Sequence, residues 1–173
     1  MKKIITFIFC LLLSACQTSV ETPDISAFPQ DYKEPTTPHI PVVGGVETLY
    51  ILPIEMPFHA RMDTGAETSS IDAQNITPFE RDGEKWISFE VLNRKSGKPH
   101  RFEKPIKRKA NIIRTGTDER RYVVSMSIKM GNEIITADFS LNDRNKFEYQ
   151  ILIGRNIING RFVIDPSLEN TMH

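Results

Sequence analysis

Lys85-Trp86-Ile87-Ser88-Phe89-Glu90-Val91-Leu92 alternates with a period of two, the signature of a half-buried strand, and helical periodicity is scarce along the rest of the chain. That contrast commits the sequence to β-sheet. Residues 46–53 and 56–62 read as a strand pair, and residues 122–129 and 133–141 as strands on either side of a Met130-Gly131-Asn132 hairpin turn. Residues 93–98, with Ser96-Gly97, turn the alternating strand into the next one at 101–107. The single helix expected begins near Arg155 or Asn156 and lasts one or two turns before Gly160, followed by a final strand at 161–165. Residues 46–173 are enough for one small domain and too few for two.

The N-terminus speaks to compartment. Lys2 and Lys3 precede an apolar stretch at 4–13, and Leu13-Ser14-Ala15-Cys16 has the form of a bacterial lipobox. An apolar run of roughly ten residues is half of what a bilayer span needs. Residues 1–15 are therefore read as a lipoprotein signal peptide, with cleavage leaving Cys16 as a lipidated first residue. Cys10 leaves with the peptide, so no thiol remains for disulfides or cysteine catalysis. Gln17 stands where an Asp would favour retention at the inner membrane, which points to an outer-membrane lipoprotein facing the periplasm. Residues 16–45 carry Pro23, Pro29, Pro35, Pro38 and Pro41 among polar residues and read as an extended tether. Loss of Lys2 and Lys3 leaves 20 basic residues against 22 acidic ones, and no nucleic-acid partner is expected. The local basic run at 104–109 reads as a solvated strand and turn.

Two segments carry the chemistry. Asp63-Thr64-Gly65 follows an apolar run and occurs once, in a tight turn where Gly65 lets the backbone approach closely. Near the C-terminus, Tyr149-Gln150-Ile151-Leu152-Ile153-Gly154-Arg155-Asn156-Ile157-Ile158 is an apolar run ending in Gly-Arg-Asn before another apolar pair. In this order, with strands between them, the two segments resemble the retropepsins over about residues 46–166. More narrowly, Met62 to Ser69, Leu141-Asn142-Asp143-Arg144, Leu152 to Arg155 and Gly160 to Pro166 are similar to the bacterial retropepsin-like family that carries the name ATP-dependent zinc protease. The resemblance implies an all-β, retropepsin-like closed barrel with one short C-terminal helix. It does not bring zinc or ATP with it. There is no His-Glu-x-x-His helix, cysteine cluster or Gly-rich Lys-Ser/Thr loop, and the His residues are isolated at 39, 59, 100 and 173, so no metal and no cofactor are expected.

What the resemblance implies for the site is specific. Two copies of Asp63 meet across a homodimer with a water between them, one ionised as general base and one protonated to polarise the scissile carbonyl. Thr64 hydrogen-bonds across to the other copy of the loop. Glu67 and Arg155 occupy the places of an acidic residue and an arginine that together form an ion-paired brace, for which Asp143 or Arg144 would compete. Residues 112–121 fall where a flap belongs, with Gly116 at its tip and Arg114 and Arg120 placed to contact a substrate carboxylate. The function so implied is an aspartic peptidase or amide hydrolase acting on polar or acidic peptides in the periplasm. The other class left open is a catalytically idle binding or assembly lipoprotein on the same fold.

Overall fold

The computed structural model describes residues 39–114 and 117–172. In chain order the elements are β1 (Val42–Ile51), β2 (Pro57–Met62), β3 (Ser69–Asp72), β4 (Gln74–Arg81), β5 (Glu84–Asn93), β6 (Lys98–Pro105), β7 (Arg108–Arg114), β8 (Thr117–Met130), β9 (Glu133–Asn142), β10 (Ile151–Ile153), α1 (Arg155–Ile158) and β11 (Val163–Glu169). Strands β1-β2-β10-β3-β9-β8 neighbour one another in that order. The ring closes where β8 returns to β1, pairing Leu49 with Met130 and Ile51 with Ile128. Closure removes the exposed edges that an open sheet would offer. β11 adds to β1 in parallel, β7 adds to β8, and β4-β5-β6 form a separate antiparallel sheet.

One apolar core serves both sheets. Leu49, Ile51, Phe58, Ile71, Phe139 and Ile153 fill the barrel, and Ile87, Phe89, Val91 and Phe102 of the smaller sheet join the same cluster. The alternation at 85–92 is thus met by β5, whose Ile87, Phe89 and Val91 face inward. The helix stands where expected, with Ile157 and Ile158 buried. The hairpin at Gly131-Asn132 is a two-residue loop closed by Met130 opposite Glu133, with Gly131 at φ 55°.

Three features depart from the sequence reading. β3 and β4 were not anticipated: β3 is only four residues long with two serines and an aspartate, so it lacks an apolar run. β4 joins β5 through Asp82-Gly83, both at positive φ (53° and 79°), the dipeptide a primed hairpin turn prefers. β11 runs on to Glu169 through Pro166, which an edge strand tolerates because its missing N–H costs no ladder bond; Pro78, Pro99 and Pro105 sit on the edge strands β4 and β6 for the same reason. β1 begins at Val42, inside the stretch read as the end of the tether, while Cys16 and residues 1–38 lie outside the described residues.

The C-terminal residues are tied to β1 by a buried carboxylate. Glu47 is fully buried and accepts hydrogen bonds from Gly44 N–H (2.6 Å), Thr171 Oγ1 (2.7 Å), Thr171 N–H (3.1 Å) and Met172 N–H (3.2 Å). Burial alone would raise its pKa; the Thr171 hydroxyl and the three N–H groups outweigh that and hold it below the ordinary 4.5. A carboxylate depressed in the folded state contributes stability above its unfolded pKa and loses it as pH falls through the folded one. Glu47→Gln is expected to cost about 2 kcal/mol at neutral pH. In urea titrations the gap to wild type should narrow as pH falls below 4.5; a gap that stays constant would contradict the assignment.

Candidate active site

Asp63 leaves the barrel at the end of β2. The parallel pairing of β2 with β10 aligns Met62 with Ile153, and Asp63 N–H donates to Ile153 O at 2.8 Å, so sheet pairing fixes where the loop begins. Its Oδ1 accepts from the N–H groups of Gly65 (2.9 Å) and Ala66 (3.2 Å), closing a tight Asx-type turn. A Cβ on Gly65 would stand 3.1 Å from that oxygen, so the close approach expected there is present. Asp63 is half-buried and Thr64 exposed.

The rest of the loop is clamped by the turn that starts α1. Arg155 N–H donates to Ala66 O (2.8 Å), Asn156 N–H to Glu67 O (3.1 Å) and Gly154 N–H to Ser69 Oγ (3.0 Å). Asn156 Oδ1 accepts from both the N–H (2.9 Å) and the hydroxyl (2.8 Å) of Ser69, while its Nδ2 donates to Asp138 O (2.9 Å). A Cβ on Gly154 would lie 2.9 Å from Ala66 O and from Thr68 C, which leaves no room for any other residue without moving backbone.

The brace differs from the expected ion pair. Arg155 Nη1 donates to the carbonyls of Thr64 (3.0 Å) and Gly65 (2.8 Å), whereas no Glu67–Arg155 ion pair within 4.0 Å forms and Glu67 is exposed. Charge complementarity in sequence suggested a carboxylate partner; the guanidinium instead satisfies main-chain acceptors that the turn leaves open. Arg144 does not compete for that place. Its Nε donates to Tyr149 O (3.0 Å) and its N–H to Asp72 Oδ1 (2.8 Å), while Asp72 Oδ2 lies 3.0 Å from Arg94 Nη2.

Asp63 borders a cavity of about 470 Å³ whose other walls carry Arg108, Lys109, Arg121 and Arg144. Arg120, expected at the substrate, is exposed, while its neighbour Arg121 is 7% exposed and turned to this cavity. Successive strand residues face opposite sides, so a one-residue difference exchanges solvent for cleft. Arg108 belongs to the run read as solvated, yet its Nη2 reaches Thr68 Oγ1 at 3.1 Å. Arg114 ends β7, paired with Thr117, and Gly116 lies outside the described residues. Over this stretch β7 and β8 pair antiparallel, from Arg108 with Val123 to Arg114 with Thr117. Ser69, Ser70, Asp72 and Arg121 have no site role in the sequence reading, and Arg144 only that of a competitor for the brace; a polar run flanking an Asp-Thr-Gly turn is the one signal that points to Ser69 and Ser70.

A closed barrel of this topology presenting Asp-Thr-Gly at the end of β2 defines a retropepsin-like domain. Residues 42–173 match the family model of RimB-like proteins, described as retropepsin-like aspartic endopeptidase RimB, and the chain belongs to that family. It is 36% identical over 129 residues to a protein of Parasynechococcus marenigrum and 34% identical over 130 residues to one of Shewanella pealeana, both named probable alpha-L-glutamate ligase. These matches cover 72% and 73% of this chain but span only 28% of the relatives' length. A crystal structure of a Legionella pneumophila protein of unknown function superimposes with a TM-score of 0.68 at 31% identity, covering 77% of this chain and 98% of that one. Among the described residues no group of three or more His, Cys, Asp or Glu side chains could hold a metal ion.

The clamp makes a graded prediction for urea unfolding. Asn156→Ala strips partners from Ser69 and Asp138 and should cost about 2–3 kcal/mol, whereas Arg155→Ala, at exposed carbonyls, should cost about 1 kcal/mol. Glu67→Gln should stay within about 0.5 kcal/mol of wild type. A Glu67 effect as large as that of Asn156 would restore the ion-pair brace.

Proposed function

We propose that the protein is a homodimeric aspartic peptidase or amide hydrolase acting on acidic, glutamate-containing peptides. The observation that carries this is the placement of Asp63, held by its turn at the rim of a cavity lined by four basic side chains. One carboxylate of this kind needs a second to share a proton, and a second copy of the chain supplies it. In the reaction, water oxygen bonds to the scissile carbonyl carbon as its proton passes to the ionised Asp63. The protonated Asp63 gives its proton to the carbonyl oxygen; as the tetrahedral species collapses the C–N bond breaks, the leaving amine takes the proton that the first Asp63 accepted from water, and the second Asp63 recovers a proton from the hydroxyl that becomes the product carbonyl. Thr64 is exposed beside Asp63, where a second copy of the loop would meet it.

The charge of the cleft and the relatives' name support the substrate class. Arg108, Lys109, Arg121 and Arg144 favour anionic peptides, and an activity that makes glutamyl amide bonds supplies what a hydrolase of this kind would cut. The lipobox at Leu13 to Cys16 supports a site on the periplasmic face of the outer membrane, carried on the Pro-rich tether.

Asp63→Asn should reduce cleavage of glutamate-rich peptides by at least about a thousandfold with the dimer intact by sedimentation. Cleavage surviving in the variant, or a wild type that is monomeric while active, would overturn the reading.

A further inference from the structure

β2 alternates buried Phe58, Ala60 and Met62 with exposed His59 and Arg61. The pairing with β10 continues through Asp63 N–H, so Asp63 extends the outward series and Arg61 stands on its side of the strand, about 7 Å back along it. Sheet register adds a neighbour. Leu152 of β10 lies opposite Arg61 and borders the cavity already described, whereas Arg61 borders a second one, of about 550 Å³, which Asp63 and Thr64 also line. The rest of that lining is Gly45, Met62 and, from β11, Ile164 and Pro166. Arg61 is thus its one cation among the described residues.

The other arginines on the Asp63 loop already hold it: Arg155 donates to Thr64 O and Gly65 O, and Arg108 to Thr68 Oγ1. Arg61 makes no hydrogen bond to a described residue, and no carboxylate of one lies within 4.0 Å of it. The group it acts on electrostatically is the Tyr149 hydroxyl, which burial and Glu148 keep neutral by raising its pKa. A neutral hydroxyl leaves the charge and the N–H donors of Arg61 open to an anion, and the guanidinium fork fits a carboxylate. A twofold dimer repeats the feature. Two chains that share Asp63 carry one Arg61 on each side of the dyad, and hence one on each side of a bond held there.

We infer that Arg61 is a specificity-determining residue: each copy receives the side-chain carboxylate of the substrate residue on its own side of the scissile bond, so that the protein cuts between two acidic residues. Arg61 takes no part in moving protons at Asp63. The assignment rests on reading Asp63 as half of a shared hydrolytic site.

The test measures binding by fluorescence anisotropy on the full chain with Asp63→Asn, which prevents turnover. Three peptides of otherwise neutral sequence carry adjacent Glu-Glu, adjacent Gln-Gln, or two glutamates set apart by four neutral residues. The adjacent pair should bind about tenfold tighter than the separated pair of equal charge, and about a hundredfold tighter than Gln-Gln. Arg61→Gln should bring all three within about threefold of one another, with the thermal midpoint and the sedimentation of the dimer unchanged. Arg61→Lys should keep part of the preference, and Arg61→Glu should transfer it to an adjacent Lys-Lys peptide. Equal affinity for adjacent and separated glutamates would mean that the cleft attracts anions without reading position. A preference that survives Arg61→Gln would mean that the guanidinium is held elsewhere, and a dimer lost in that variant would make Arg61 an interface residue; each of these results overturns the inference. Cleavage by the wild-type chain, mapped by mass spectrometry, separates the two readings. Arg61-dependent binding without any cut sinks the hydrolase, whereas a cut indifferent to the flanking residues sinks the role of Arg61.

Discussion

The position of the Asp63 carboxylate depends on a main-chain clamp between the loop after β2 and the turn that opens α1. Gly154 brings the two backbones closer than any Cβ permits, and Arg155 N–H, Asn156 N–H and the Asn156 side chain then pair with Ala66, Glu67 and Ser69. Most of these bonds join neutral groups, and even the Arg155 guanidinium meets carbonyl oxygens. The loop's geometry is therefore little affected by salt or by the ionisation of a neighbouring carboxylate, which suits a turn whose own aspartate must change protonation state if it is to work as proposed. Sheet pairing supplies the other end of the clamp, since β10 runs parallel to β2 and the turn follows it directly.

The barrel divides its two faces by chemistry. The inner face is aliphatic and aromatic; the outer face of β3, β9 and β8 carries Ser70, Asp72, Ser140, Asn142 and Arg121, all buried. Polar groups at such depth cost stability unless they are paired or functional. Asp72 is paired, through Arg94 and the Arg144 N–H, and that pairing holds one wall of the cavity next to Asp63. The structural cluster and the candidate cleft are thus continuous, and a substitution at Asp72 would be felt at the wall that Arg144 forms.

Sequence was a good guide wherever pattern and backbone agree. β5 shows its period of two because one face packs on the core, and the Asp63 turn and the 151–158 segment are legible because glycine and apolar runs mark close approach and burial. β3 was hidden for the reason that makes it interesting: its outward face belongs to the cleft floor, so Ser-Ser-Ile-Asp lacks the apolar alternation of an ordinary strand. Arg155 has an acidic residue as its obvious partner in a one-dimensional reading, and only three dimensions offer the carbonyls of Thr64 and Gly65. Arg120 and Arg121 are indistinguishable as letters; strand parity decides which one enters the cleft. The basic run at 104–109 is the exposed strand and turn it reads as, although charge alone does not tell that Arg108 reaches Thr68.

The central claim is that catalysis needs two copies of Asp63 at one site, and subunit mixing tests it most directly. Wild-type and Asp63→Asn chains, exchanged to equilibrium at constant total protein, give activity as a function of the wild-type fraction. A shared dyad predicts that activity follows the square of that fraction, because every mixed dimer is dead. Activity falling in direct proportion to the wild-type fraction would mean that each chain carries a complete site, and would contradict the account.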